Sequence, residues 1–244
     1  MKILVCISCV PDTTSKISFT DGDTKFNKDG VQFVIGPYDE YALSKAVDLQ
    51  ASGATVTVLN VGGAETEPVI RKALAVGAND AIRINAEPTD AMLIAKEIAN
   101  VAKDGNYDMI LMGRETTDYN GGQIHGMVGE ILGLPSISPV MKMDIEGNTA
   151  TLSREIEGGK ETLKVNTPFV AGCQEPIAEW KIPNMRGIMS ARTKPLQVIE
   201  PSSATASTSV SSFAMPPAKS ECKLIDADNV QELVDLLRNE AKVI

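Results

Sequence analysis

The chain has 244 residues, 43% of them hydrophobic, and a formal net charge of −9 at pH 7, which together predict a globular protein with one sizeable core. Binding to nucleic acid requires a clustered basic surface that neutralises phosphates, so the acidic charge argues against a nucleic-acid partner. No run approaches the roughly 18 apolar residues of a membrane span, and we therefore expect no direct membrane insertion.

Short apolar segments alternate with helical patterns through the first two-thirds of the chain. The predicted strands are 2–8, 55–61, 81–84 and 108–112, and the predicted helices are 39–50, 65–75, 91–103 and one that follows Gly122. Gly53 and Gly77 end the first two helices. Strands that alternate with helices predict an α/β fold with a Rossmann-like, mostly parallel sheet that carries helices on both faces.

Three loops follow predicted strands and should lie near one another, because ligands of such sheets bind beyond the carboxyl ends of the strands. They read SCVPDTT (8–14), NVGGAE (60–65) and GRETTDYNGGQ (113–123). The third places Gly121 and Gly122 directly before a helix. Free backbone N–H groups and the positive end of a helix dipole favour an anion at such a turn.

The pattern changes to a period of two from Met141 onward. Turns at 146–148 and 158–159 separate the predicted strands, which indicates an antiparallel hairpin appendage on an α/β domain that spans 1–195. A Ser/Thr/Ala/Pro-rich stretch then predicts a flexible linker arm at 196–220. Residues 221–244 contain a helical pattern with one apolar face. A short helix of this kind is stable only when that face packs against another protein surface. A partner subunit fits, and a tail that folds back on its own domain is the alternative.

The cysteines and the N-terminus indicate a cytoplasmic protein. Four scattered cysteines do not form a disulfide framework, and the N-terminus lacks the pattern of a secretory signal. Cys6 and Cys9 form a C-x-x-C, but Cys6 lies within a predicted strand and no second pair completes a zinc site. We therefore interpret both as structural thiols.

No constellation of catalytic residues accompanies the single histidine. His125 lacks a nucleophile motif or a second histidine, so we expect it to pack or hydrogen-bond near the start of a helix, where the dipole disfavours its protonation. Glu115 and Asp118 are interpreted as capping acids rather than metal ligands. The sequence therefore predicts neither a metal site nor an enzyme of its own.

Four segments, in order, resemble the β (small) subunit of electron transfer flavoproteins, and the likeness runs nearly end to end. GPYDEYAL (36–43) is similar to an Asn-Pro-Phe segment of that family, and GRETTDYNGGQ to its Asp-rich loop before a Gln-containing helix start. LSREIEGGKETLKVNTPFVAGC (152–173) is similar to the family signature, and KIPNMRGIMSARTKP (181–195) to its partner-docking loop.

The resemblance implies a nucleotide-binding domain of the adenine nucleotide alpha hydrolase-like type and a role in electron transport. Such a subunit pairs with an α subunit, which holds most of one FAD, and keeps AMP as a structural nucleotide. The heterodimer carries electrons from acyl-CoA and related dehydrogenases, including those of fatty acid β-oxidation, to a quinone oxidoreductase. The anion at the glycine turn would then be the AMP phosphate.

Carried over by position, the resemblance implies the following sites. The AMP contacts fall on Cys6, Gly36, Pro37, Tyr38, Asp39, Val61, Gly113, Asp118, Gly121, Gly122, Gln123 and Ile124. Thr13 and Tyr38 lie near FAD, and partner docking falls on Ile182, Met185, Arg186 and Ile188. The chain departs from the family at Gly36, where an asparagine is usual, at Thr13, where an aromatic residue is frequent, and in lacking a hydroxyl residue at the helix start.

Two other functions stay open. The segment VPDTT (10–14) is shared with family members that bind a second FAD in place of AMP and bifurcate electron pairs. A nucleotide-binding α/β domain also occurs in ATP pyrophosphatase-like enzymes and stress-type proteins. Such an enzyme requires a Ser-Gly-Gly type loop after the first strand, which this chain lacks, and Pro11 removes one N–H donor there. Together with the resemblance, this favours an electron-carrier subunit.

Overall fold

One large sheet organises the chain in the computed structural model, which describes residues 1–219 and 221–244. The strands are β1 (Lys2–Cys6), β2 (Cys9–Pro11), β3 (Phe19–Thr20), β4 (Lys25–Phe26), β5 (Phe33–Ile35), β6 (Thr55–Val61), β7 (Asp80–Ile84), β8 (Met109–Gly113), β9 (Ser136–Glu146), β10 (Thr149–Ile156), β11 (Gly159–Asn166), β12 (Phe169–Cys173) and β13 (Leu196–Ile199). The α-helices are α1 (Pro37–Leu49), α2 (Glu67–Val76), α3 (Ala91–Gly105), α4 (Ile124–Leu132), α5 (Met185–Ala191) and α6 (Val230–Asn239).

The large sheet has nine strands in the order β11-β10-β9-β12-β8-β1-β6-β7-β13. The pairs β11/β10 and β10/β9 are antiparallel, and the remaining neighbours are parallel. This topology confirms the mostly parallel α/β fold. The antiparallel hairpin extends this same sheet, because β9 pairs with β10 on one side and with β12 on the other. The shorter pairs β2/β5 and β3/β4 stand apart from it.

The side chains of β1 show why helices cover both faces of the sheet. Ile3 and Val5 point into a core formed with α1 and α2, whereas Leu4 and Cys6 point into a second core formed with α3 and α4. Successive residues of a strand face opposite sides. A strand that is apolar throughout is therefore stable only when helices pack on both faces.

The predicted linker at 196–220 starts too early. Its first four residues form β13, which pairs in parallel with β7 from Leu196 beside Ala81 to Ile199 beside Ile84. A strand this short leaves no clear periodicity in the sequence, and it forms because the edge of β7 provides backbone partners. The last residue of the predicted linker, Ser220, lies outside the described residues.

The arm after β13 lies against the α/β domain. The Ser202 hydroxyl donates to Glu97 of α3 at 2.7 Å, and the Phe213 ring stacks on Phe19 with ring centroids 4.8 Å apart. The helix α6 contains no buried residue, and its Leu233 side chain is 43% exposed. Part of the predicted linker thus contacts its own domain, while the terminal helix presents apolar side chains to solvent.

Candidate functional site

A cavity of about 850 Å³ opens at the carboxyl ends of β1, β6 and β8. Residues that follow each of these strands line it, among them Ser8 after β1, Gly62 after β6 and Arg114 after β8. Parallel strands bring their carboxyl ends to one edge of the sheet. The expectation that the three predicted loops meet is therefore confirmed.

Asp39, in the first turn of α1, holds two of these strand ends together. One of its carboxylate oxygens accepts from the backbone N–H of Ser8 at 2.8 Å and from the Ser8 hydroxyl, and the other accepts from the backbone N–H of Gly113 at 2.7 Å. Gly36 approaches so closely that an added Cβ would overlap the Ser8 hydroxyl oxygen. The glycine found where the family usually has asparagine thus makes room for this contact.

Burial dominates the electrostatics of the cavity floor. It raises the pKa of the Asp39 carboxyl to about 6, although the hydrogen bonds from Ser8 and Gly113 oppose that shift. Burial also raises the pKa of the Cys6 thiol far above its usual range, and the negative charge of Asp39 adds a smaller increase. A thiol that stays protonated is a poor nucleophile and metal ligand. The same holds for the free thiol of Cys9, whose pKa burial raises to about 11.

The loop between β8 and α4 supplies backbone donors. Gly122 adopts a left-handed conformation with a φ of +59°, and Asn120 does so with a φ of +49°. Within the described part of the chain, the backbone N–H groups of Gly121, Gly122 and Gln123 have no hydrogen-bond acceptor. These donors lie beside the N-terminus of α4, so the loop is suited to an anion.

His125 packs at the start of α4, as expected. Burial lowers the pKa of its imidazole, while hydrogen bonds with the backbone of Arg114 and Gly122 act in the opposite direction. Burial therefore disfavours the protonated imidazole, which is the direction expected from the helix dipole. The ring lies close to Gly172 of β12, where an added Cβ would come within 2.8 Å of His125 Cδ2.

Acidic side chains predominate around the cavity. The basic residues in its lining are Lys28 and Arg114, and the acidic ones are Asp39, Glu65, Glu87, Asp90, Glu115 and Asp118. Arg114 already donates to Glu115 at 2.7 Å and to Gln174 at 2.9 Å, and its guanidinium lies 4.9 Å from the centre of the Tyr38 ring. Lys28 lies 3.8 Å from Glu87. A ligand with several negative charges would therefore meet little uncompensated positive charge here.

The structure brings together most of the residues predicted to contact AMP. The cavity lining includes Cys6, Asp39, Val61, Gly113, Asp118, Gly121, Gly122, Gln123 and Ile124. Gly36, Pro37 and Tyr38 are not in the lining, because they form the start of α1 behind Asp39. Thr13, predicted near FAD together with Tyr38, is exposed outside the cavity.

Two further segments line the cavity that sequence reasoning missed. The first comprises Glu87 to Met92, where Asp90 caps the N-terminus of α3 by accepting from Leu93 N–H at 2.7 Å. An aspartate before a helical pattern is a recognisable cap signal. The second comprises Ser207 to Val210 of the arm. Nothing in its low-complexity sequence indicates a site, since its position depends on distant contacts.

The predicted docking residues form an exposed apolar surface around α5, here called the α5 surface. Its side chains and their exposed fractions are Trp180 (51%), Ile182 (72%), Met185 (74%), Ile188 (43%) and Met189 (67%). Two of the four basic residues in segment 181–195 are engaged elsewhere, because Lys181 pairs with Asp48 at 2.7 Å and Lys194 donates to the carbonyl oxygens of Leu74 and Ala78. Arg186 and Arg192 are its exposed cations.

Among the described residues, no helix is both long enough and apolar enough to cross a membrane.

Comparison with known proteins identifies the family. A family model described as the electron transfer flavoprotein domain matches residues 23–204. The electron transfer flavoprotein subunit beta of Bacillus subtilis (strain 168) is 35% identical over 259 aligned residues, which cover 100% of both chains. The protein of the same name from Syntrophomonas wolfei is 33% identical and covers 100% of this chain and 98% of its own. That from Mycobacterium tuberculosis (strain H37Rv) is 31% identical over 81% of this chain and 78% of its own. The chain therefore belongs to the electron transfer flavoprotein family, among its β subunits.

Proposed function

We propose that this chain pairs in the cytoplasm with an electron transfer flavoprotein α subunit, that the α subunit holds most of one FAD, and that the cavity of the β subunit holds AMP. Family membership makes the chain part of a flavin-dependent electron carrier. In this proposal the heterodimer accepts electrons from acyl-CoA and related dehydrogenases and passes them to a quinone oxidoreductase. The chain itself contributes structure and recognition, without catalytic residues.

The observation that supports AMP is the combination of a cavity large enough for an adenosine nucleotide with a turn of free backbone donors. The N–H groups of Gly121, Gly122 and Gln123 would hold the phosphate at the start of α4. The buried walls formed by Val61, Leu59 and Ile98 suit an apolar base.

The donors around the cavity favour one phosphate over two. Six acidic residues line it against two basic ones, and Arg114 is already engaged by Glu115 and Gln174. The diphosphate of a second FAD would require donors or cations for two phosphate groups, and Lys28 also has an acidic neighbour, Glu87, at 3.8 Å. Backbone donors alone suffice for a single phosphate. This is why we favour AMP over the bifurcating alternative.

The α5 surface supports the docking part of the proposal. A few exposed apolar side chains beside exposed arginines suit a short-lived complex, in which charge raises the encounter rate and apolar atoms provide specificity. Ile182 would be the anchor, with Met185, Arg186 and Ile188 around it. Thr13 and Tyr38 are proposed to lie toward the flavin of the α subunit.

The nucleotide content of the purified heterodimer tests the proposal. The complex is denatured, and the released nucleotides are separated by chromatography and quantified against protein. One FAD and one AMP per heterodimer is the expected result. Two FAD and no AMP would instead identify the bifurcating type, and absence of flavin would contradict the electron-carrier function altogether.

A further inference from the structure

The arm after β13 crosses the opening of the cavity. Ser207, Thr208, Ser209 and Val210 all line the cavity, although they are about ninety residues distant in sequence from the β8 loop that shares the lining with them. The segment has no helix or strand of its own. Its position must therefore come from contacts with the domain beneath it.

Asp90 provides the first of these contacts. One oxygen of its carboxylate caps α3 through Leu93 N–H, and the other accepts from the backbone N–H groups of Ser207 at 2.6 Å and Thr208 at 2.8 Å. The Thr208 hydroxyl lies 3.3 Å from the same oxygen. A single side chain thus connects the start of α3 to the part of the arm that lines the cavity.

The arm is also anchored on both sides of this segment. Before it, Glu97 is only 1% exposed, and its carboxylate accepts from the Ser202 backbone N–H at 3.0 Å and from the Ser202 hydroxyl at 2.7 Å. After it, the Phe213 ring stacks on Phe19 and the Phe213 N–H donates to the Asp23 carbonyl at 2.7 Å. Because a buried carboxylate without a donor is costly, the Ser202 contact specifies one position for the arm.

We propose that residues 207–210 are a strap over the nucleotide site, that Asp90 is its latch, and that nucleotide exchange requires the strap to open. This inference rests on the proposed function, in which the ligand is adenosine monophosphate. Ser207 and Ser209 line the cavity, so their hydroxyl groups would be available to the ligand, whereas the turn at Gly121 and Gly122 offers no side-chain hydroxyl. The strap accordingly sets how long the nucleotide stays bound.

The rate of AMP release from the heterodimer tests this inference. The complex is loaded with radiolabelled AMP and mixed with excess unlabelled AMP, and retained label is followed over time. Asp90→Asn keeps one amide oxygen for the α3 cap but presents an NH₂ group to the N–H groups of Ser207 and Thr208. We expect release roughly tenfold faster, since two hydrogen bonds to a carboxylate are lost. Ser202→Ala, which leaves the Asp90 cap of α3 in place, should accelerate release about threefold through one lost hydrogen bond to Glu97.

Asp108→Asn is the matched control. Asp108 also accepts a backbone N–H, that of Lys2 at 2.7 Å, and the substitution removes the same charge as Asp90→Asn, but just before β8 and outside the cavity lining. Its release rate should equal that of the unmodified protein. Hydrogen exchange gives a second measurement, in which the amides of Ser207 and Thr208 should be protected in the unmodified protein and exposed in Asp90→Asn.

The possible outcomes distinguish a failure of the strap proposal from a failure of the AMP proposal. Equal release rates in the unmodified protein, Asp90→Asn and Ser202→Ala would overturn the strap and leave the AMP site standing. A purified heterodimer that neither contains nor binds AMP would overturn the proposed ligand and the strap with it. Faster release from both variants, with Asp108→Asn unchanged, would support the strap.

Discussion

The carboxylate of Asp39 and the backbone N–H of Gly113 form a hydrogen bond of 2.7 Å between residues 74 positions apart. Asp39 lies in the first turn of α1 and Gly113 ends β8, and the second carboxylate oxygen of Asp39 accepts from Ser8 beyond β1. This one side chain therefore determines how the ends of two parallel strands are spaced beneath the cavity. Several measurable properties depend on it.

Replacing Gly113 by alanine should destabilise the protein. An added Cβ would lie 2.7 Å from the Asp39 carboxylate and 2.9 Å from its backbone nitrogen, and overpacking of this kind costs about 1–3 kcal/mol. Thermal unfolding followed by circular dichroism measures the effect. Gly126→Ala is the control, because it has open space around it within α4 and should be neutral or slightly stabilising. Equal melting temperatures for Gly113→Ala and the unmodified protein would contradict the close contact.

Asp39 should make stability depend on pH. Burial raises the pKa of its carboxyl from 3.8 to about 6, so the folded state binds the proton more tightly than the unfolded state. The resulting stabilisation is complete below pH 3.8 and is lost as the pH rises through 6. The loss amounts to roughly 3 kcal/mol for a shift of about two pKa units.

Urea unfolding at intervals between pH 4 and pH 8 checks this dependence against Asp39→Asn, which cannot ionise at that position. The free energy of unfolding of the unmodified protein, relative to that of the variant, should decrease toward pH 6 and then level off. A difference that is constant, or that increases with pH, would show that the hydrogen bonds to Ser8 and Gly113 outweigh burial.

A substitution at Gly122 should remove AMP. Gly122→Val places a branched side chain at a φ of +59° beside the free donors of the turn, and the strained backbone costs roughly 1–2 kcal/mol. Gly133→Val has nearly the same strain, at a φ of +66°, with open space around it and at the other end of α4. Both variants carry similar backbone strain, but only Gly122→Val should release no AMP on denaturation, and it should lose additional stability because a ligand bound only to the folded state stabilises that state. AMP at full occupancy in Gly122→Val would refute the assignment of the phosphate to this turn.

Truncating Ile182 should slow electron transfer without affecting folding. The side chain is 72% exposed, so its loss creates no cavity, whereas removal of an apolar anchor from an interface reduces the transfer rate about tenfold at limiting dehydrogenase concentration. Steady-state transfer from an acyl-CoA dehydrogenase to Ile182→Ala measures this, after the flavin content has been verified. Ile156→Ala, 44% exposed in β10, should transfer at the normal rate. An equal fall in both variants would indicate a general defect rather than docking.

Deleting residues 221–244 should weaken the heterodimer while leaving the α/β domain stable. The helix α6 buries no residue against its own chain, and Leu233 is 43% exposed. An amphipathic helix of this length is marginal alone and requires a partner surface. Size-exclusion chromatography with the α subunit, together with the melting temperature of the truncated chain, tests both statements. An intact heterodimer with a lowered melting temperature would mean that the helix docks on its own domain.

Much of the fold could be predicted from local patterns. The alternation of apolar runs and helical periods correctly indicated the parallel sheet, and glycines marked the ends of α2 and the hairpin turn at Gly158. These features depend on residues close together in the chain. The short strands β2 to β5 were missed, since two or three residues are too few to show a period.

The site was predictable only in part. Segments 60–65 and 113–123 were recognised because glycines before a helix carry a local signal for anions. Gly36, Pro37 and Tyr38 were placed in the site by position along the family pattern, but in the structure they support Asp39 from behind and do not line the cavity.

By itself, the sequence determined the class of the fold, the order of its elements and the glycine turn that faces the cavity, because backbone preference and hydrophobic period act over a few residues. Only the tertiary structure decided that Ser207 to Val210 cover the same cavity, that Leu196 to Ile199 complete the sheet and that Asp39 connects two strand ends. Each of these depends on hydrogen bonds between residues tens of positions apart. Which groups form these hydrogen bonds depends on where the folded chain places donors and acceptors that still lack a partner.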